Sequence, residues 1–351
     1  MYFKQIDALR FFSVFLVLIS HWLFTVPYIE KLRPGAIGVE LFFVISGFLI
    51  SLQLFKYKLN VDSKTATLKE TFKNFYARRF LRIVPLYYFV LIIATAINKG
   101  EMLDAIWWNL SYCTNFYFIK TQQWPAIFSQ LWSLSVEEHF YIFWPFIVLI
   151  SPLKHILKWI IGIIMLALVF RVWQFNYSYD FILLYIHSIS CLDLFMMGAI
   201  LAYMYNFKKN SFIKLFNCEY LKRFSTVLFF ILVSIYVFKP QWELFNWAIL
   251  RTFFCLFYFL IVGFFVSGFK GNVGLFLENK LLIRLGKLSY CIYLIHNFVP
   301  GILLPIKTIG LPIVVEFLIY FIVTVMLSEI LYRIIEKPAR ELNKYFEIKT
   351  T

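Results

Sequence analysis

The sequence predicts an all-α integral membrane protein that crosses the bilayer about ten times, with both termini in the cytoplasm. Three observations carry that reading. Of the 351 residues, 62% are hydrophobic and only 15% charged, against roughly 45–50% and ~25% in soluble domains. A globular fold of this length must present a polar surface to water, and this chain lacks the residues to build one. The apolar residues also fall in runs of about 20, the length that spans ~30 Å of hydrocarbon as helix. Finally, the basic residues gather on alternate connecting segments. Soluble enzymes, DNA-binding domains and disordered chains are thereby excluded, and the net charge of +15 reports topology before it suggests nucleic acid.

The first run, 6–26, is too long for the apolar part of a cleaved signal and lacks a small-residue cleavage site. It carries Asp7, Arg10 and His21. Eleven residues separate Arg10 from His21, roughly 1100° of helix, so both share one face about 16 Å apart along the axis. The second run, 37–55, holds Glu40 and the pair Ser46-Gly47, which suits close helix packing or a kink. Residues 56–79 are polar and basic, with Leu68, Phe72, Phe75 and Tyr76 at helical spacing, which predicts a helix lying on the membrane surface.

The third run, 80–98, is entered through Arg78, Arg79 and Arg82. Arg79 and Arg82 share a face, and paired guanidinium forks suit phosphate oxygens. Residues 99–130 are aromatic, with Trp107, Trp108, Tyr112, Phe116, Tyr117, Phe118 and Trp124. Such a segment suits an interfacial belt or the stacking of sugar faces. In the fourth run, 131–150, Glu137, Glu138 and His139 lie some six residues in, and adjacent carboxylates at that depth have no cheap structural account. They point about 100° apart, so one faces a cavity while the other pairs elsewhere.

Runs at 158–175, 181–205, 224–238 and 245–268 follow, carrying Arg171, His187 with Asp193, and Arg251. The last two, 287–305 and 312–334, include His296. With the N-terminus inside, 26 of the 34 Lys and Arg fall on cytoplasmic segments. Only Lys31, Arg33, Lys99, Lys120, Lys239 and Lys307 fall outside, and Arg171 and Arg251 lie within spans. That asymmetry is a strong positive-inside signature. The five cysteines show neither a CxxC pair nor metal-ligand spacing, so they read as packing residues and no metal is expected.

Topology sorts the buried charges into an inner layer of arginines and an outer layer of His and Glu with two arginines. A phosphate-bearing donor from the cytoplasm and proton transfer further out fit this arrangement. A histidine base needs a group to orient its ring. Glu40, Glu137 and Glu138 are all at a suitable depth, with no choice among them. Arg171, Arg251 and His296 are candidates to steady an oxyanion or contact an acceptor.

The sequence resembles the acyltransferase-3 membrane family, which includes bacterial O-acetyltransferases of surface polysaccharides. The resemblance covers nearly the whole chain. It rests on Asp7-Ala8-Leu9-Arg10 with His21, Gly38 to Ile50, Arg79-x-x-Arg82 with Pro85-Leu86-Tyr87-Tyr88, Leu131 to Tyr141, Leu285 to His296, and Glu336-Lys337-Pro338. It implies transfer of acetyl from acetyl-CoA, a substrate rather than a bound cofactor, to a hydroxyl of an exported glycan or lipid-linked saccharide. His21 would match the catalytic histidine, Arg10 its paired arginine, and Arg79 and Arg82 the CoA side. The bacterial cytoplasmic (inner) membrane is the implied location. His139 stands where many members have Gln, and Glu40 where many have Asp. One acyltransferase domain over 1–351, with no appended soluble domain, is expected. Whether His21 attacks the thioester or only takes the hydroxyl proton stays open. The rival classes are a multi-span transporter, which usually shows an inverted repeat not seen here, and a component of an export complex.

Overall fold

The computed structural model describes residues 2–27, 29–97, 99–177, 180–238, 249–304 and 309–346. Lys239, Lys307 and Lys349, and the start of the eighth expected span at 245–248, lie outside them. Among the described residues there is no strand, and ten helices of 16 residues or more follow one another. They are α1 (Lys4–Trp22), α2 (Pro34–Asp62), α3 (Leu68–Ile97), α4 (Leu131–Ile150), α5 (Ile156–Tyr177), α6 (Leu192–Phe207), α7 (Glu219–Phe238), α8 (Arg251–Ser267), α9 (Lys280–Ile295) and α10 (Ile313–Leu331).

By length and composition, seven of these are fit to cross a membrane: α1 to α6 and α10, some with short helical extensions. An eighth arises if α8 is joined to Gly271–Leu277, which turns away from it by 94°. The sequence predicts ten. At 16 residues, α9 covers roughly 24 Å and falls short of ~30 Å of hydrocarbon on its own.

The expected surface helix over 56–79 is not a separate element. Its first residues are the end of α2, which runs unbroken to Asp62, and its last are the start of α3. Thr67 and Glu70 close a reciprocal capping box there. The Thr67 N–H and hydroxyl donate to the Glu70 carboxylate at 2.9 and 2.8 Å, and the Glu70 N–H donates back to Thr67 Oγ1 at 3.2 Å. That satisfies orphan donors at the helix start. At the other end of α2, Pro34 occupies the first turn, where a missing N–H costs nothing.

The centre of the bundle is α2, which packs most extensively on α6 and also meets α1 and α4. Backbones touch at the α2–α6 crossing. A Cβ on Gly47 would collide with the Phe195 carbonyl, and one on Gly198 with that of Val44. This bears out the close packing read from Ser46-Gly47. Phe195 then stacks between Phe43 and Phe140 at 4.7 and 4.3 Å, tying α6 to α2 and α4. Helix α1 lies between α2 and α9. The aromatic segment forms short helices at Lys99–Asp104, Ile106–Leu110 and Thr114–Thr121. It is pinned to α3 where Tyr87 and Tyr88 donate to the carbonyls of Asn109 and Leu110.

Candidate active site

Two cavities run side by side along α1. The first is lined by Arg10, Arg79 and Arg82 together with Glu137, Glu138, Ser46 and Tyr141. Arg79 is gripped from several directions. It donates to Gln53 Oε1 at 2.9 Å and lies 5.8 Å from the ring centroids of both Phe75 and Tyr141. Its buried Nε has no partner among the described residues. Arg10 keeps Asp7 at 3.9 Å. Glu137 accepts from the Ser46 hydroxyl, which in turn accepts from the Tyr141 hydroxyl at 3.2 Å. A neighbouring cavity, lined also by Lys73, Tyr76 and Phe80, shares Arg79, Glu138 and Tyr141 with this one. Three guanidiniums thus face one space with two carboxylates among them, and guanidinium forks suit the oxygens of phosphates.

The second cavity is lined by His21, Ser20, Arg33, Ser129, Gln130 and the aromatic rings of Trp124, Trp132, Phe181 and Tyr185. The common face of α1 thus runs along both spaces, with Arg10 in one and His21 in the other. Among the described residues no carboxylate hydrogen-bonds His21. Its Nδ1 lies 2.8 Å from Nε2 of His296 and 2.7 Å from Oδ1 of Asn297.

The surrounding bonds assign the protons. His296 is fully buried, and its Nδ1 lies 2.7 Å from the Tyr293 carbonyl. A carbonyl only accepts, so that nitrogen carries the hydrogen and His296 Nε2 is a lone pair. The Asn297 amide nitrogen meets the Ala126 carbonyl, Ser129 Oγ and Gln130 Oε1 at 2.9, 2.9 and 2.7 Å. Gln130 is itself set by donating to the Leu294 carbonyl at 3.0 Å. Asn297 therefore turns its oxygen to His21. Two acceptors facing one nitrogen require an N–H there, so neutral His21 presents its lone pair on Nε2. That is the form a general base needs.

The structure separates the remaining candidates from His21. Among the described residues no glutamate hydrogen-bonds it. Glu137 and Glu138 line the arginine cavity instead, and Glu40 pairs with Arg251 at 3.2 Å. Arg251 also donates to the carbonyls of Leu184 and Tyr185, which joins α8 to α2 and the segment before α6. Arg171 is wholly buried, 2.7 Å from both Asp193 Oδ2 and the Ser190 carbonyl and 3.0 Å from Thr252 Oγ1. Arg171 and Arg251 are thus each held by framework partners, and Arg251 also lines a separate cavity with Arg33, Glu40 and Tyr185. Of the three further contacts expected from sequence, only His296 reaches His21. His139 bonds Ser188 at 2.7 Å, away from both cavities.

Asn297 and Gln130 escaped sequence reasoning because they bear no charge, and burial of charge was the signal used. A polar amide directly after His296, at the end of an apolar run, was the available clue.

Residues 3–333 match the family described as "Acyltransferase domain". The chain is 27% identical over 369 residues to the peptidoglycan O-acetyltransferase OatA of Listeria monocytogenes, covering 97% of this chain and 56% of that protein. YrhL of Bacillus subtilis, whose name carries the same activity as a proposal, is 28% identical over 368 residues, covering 97% and 55%. A Staphylococcus aureus protein, SACOL0978, named as a proposed O-acetyltransferase, is 28% identical over 374 residues, covering 97% and 58%. The chain thus spans little more than half the length of these relatives. No solved structure matches it.

Proposed function

The chain belongs to the acyltransferase domain family, and on that premise we propose that it is a multi-pass membrane O-acyltransferase moving acetyl from cytoplasmic acetyl-CoA to a hydroxyl of an exported glycan. Residues 1–351 act in this reading as one acyltransferase unit in the bacterial cytoplasmic membrane. The relatives' names make peptidoglycan the first acceptor to test. A lipid-linked saccharide has the same chemistry.

The observation that carries the reading is the pair of neighbouring cavities with Val39 and Tyr293 in common, three arginines lining one and His21, its Nδ1 facing two acceptors, lining the other. CoA phosphates bind Arg10, Arg79 and Arg82, and the acylated arm extends toward His21. Trp124, Trp132, Phe181 and Tyr185 offer faces for a sugar. His21 Nε2 takes the hydroxyl proton as the oxygen attacks the thioester carbonyl. The C–S bond then breaks, and the proton passes from His21 to the departing thiolate. During this exchange the imidazolium keeps its Nδ1–H between His296 Nε2 and Asn297 Oδ1, which stabilise it where a carboxylate serves in other sites. Glu137 and Glu138 act on the donor side, balancing the arginines.

Acetyl-CoA binding to detergent-purified protein tests the donor assignment. Arg79→Ala and Arg82→Ala should each weaken it about tenfold, the loss of one charge-assisted bond, with insertion intact. Unchanged affinity in both inserted variants would remove the phosphate site.

Orientation has its own test. Ten crossings with both termini cytoplasmic predict that, on a cysteine-free background, Gln123→Cys labels from outside the cell and Asn210→Cys does not. The opposite pattern would exchange the donor and acceptor sides.

A further inference from the structure

We infer that Tyr293, together with Val39, sets the length of the acyl group that can pass from the arginine cavity to His21. The inference rests on the acyl-transfer reading above. Val39 and Tyr293 are the two residues that line both cavities, and each is only 6% exposed. These two side chains, one on α2 and one on α9, form the wall common to both cavities and stand on the direct way from one to the other.

The Tyr293 ring is held from several sides. Its hydroxyl lies 2.6 Å from Ser133 Oγ on α4. The Phe42 ring meets it edge-on with centroids 6.0 Å apart, and the His296 ring stands 5.6 Å away. The carbonyl of the same residue receives the His296 Nδ1–H, so this backbone cannot shift without disturbing the histidine pair. A ring fixed in this way is a rigid stop. A two-carbon acyl group needs little room beside it, whereas each further methylene must push the ring aside and break its bond to Ser133. A methylene that does not fit an enzyme pocket commonly costs tenfold or more in kcat/KM.

The test is transfer by the whole chain in proteoliposomes, comparing acetyl-CoA with butyryl-CoA and a chitooligosaccharide or peptidoglycan fragment as acceptor. Tyr293→Ala should raise the butyryl-to-acetyl ratio of kcat/KM at least tenfold, and Val39→Ala should raise it several-fold. A purely structural role would lower both substrates together and leave the ratio where it was. Should Tyr293→Ala fail to insert, Tyr293→Leu with Val39→Ala decides the matter. An unchanged ratio in inserted variants of both positions, with the wild type active on acetyl-CoA, overturns the inference. A wild type that transfers no acetyl from acetyl-CoA overturns the acyl-transfer reading, and the inference with it.

Discussion

Replacing His21 with alanine should lower acyl transfer by at least ~10²–10⁴-fold, the usual worth of a positioned base, while acetyl-CoA still binds. In the proposed reading the donor is held by the arginines that line the other cavity, so affinity for it and turnover should separate cleanly. The substitution also leaves His296 Nε2 and Asn297 Oδ1 facing each other without the N–H that joined them. That costs about 1–3 kcal/mol of stability, too little to expel a multi-helix protein from the membrane. Radiolabelled acetyl incorporation in proteoliposomes, with binding measured alongside, reads both quantities. Wild-type turnover in an inserted His21→Ala variant would end the mechanism. Glu137→Gln should behave differently and disturb donor binding, because Glu137 faces the arginines and not His21.

The second large effect is on stability. Arg171 and Asp193 form an ion pair whose side chains are 0% and 1% exposed. Asp193→Ala would strand a guanidinium in the bundle, a change that typically costs 3–5 kcal/mol. Thermal unfolding in detergent should show a large fall in Tm, and Arg171→Ala should do the same. Replacing both at once with apolar residues, as in Arg171→Met with Asp193→Leu, should restore much of the loss, since the charge and its counter-charge leave together. A variant with unchanged Tm and lost turnover would return Arg171 to the catalytic machinery.

Charge inside apolar runs made much of this legible in the sequence. Arg10, Arg79 and Arg82 do line one cavity, and the eleven-residue step does carry the same face of α1 on to His21. Helical spacing reports the face and the depth of a residue on its own helix, however, and not which faces of different helices meet. That is why Glu40, Glu137 and Glu138 all looked eligible to orient His21, while the actual partners come from beyond the end of α9. Half-buried and uncharged, Asn297 costs little to place when its polar atoms are bonded, and so it leaves no mark among the expensive residues. The same limit explains residues 56–79. A period of 3.6 reads alike for a helix lying flat on lipid and for the ends of two helices that overrun it.

That overrun sets where an anion first meets the protein. At 29 and 30 residues, α2 and α3 measure roughly 43 and 45 Å along their axes, against ~30 Å of hydrocarbon. They are joined at the lysine-bearing turn, so the excess of about 15 Å stands clear of the oily layer if it lies at that end. Arg79 is eleven residues into α3, roughly 16 Å from its start. With the excess at that end, the Arg79 guanidinium would sit about level with the lipid headgroups. In the proposed reading a water-soluble donor would reach it without partitioning into the bilayer, and only its acyl end would have to enter the low-dielectric interior.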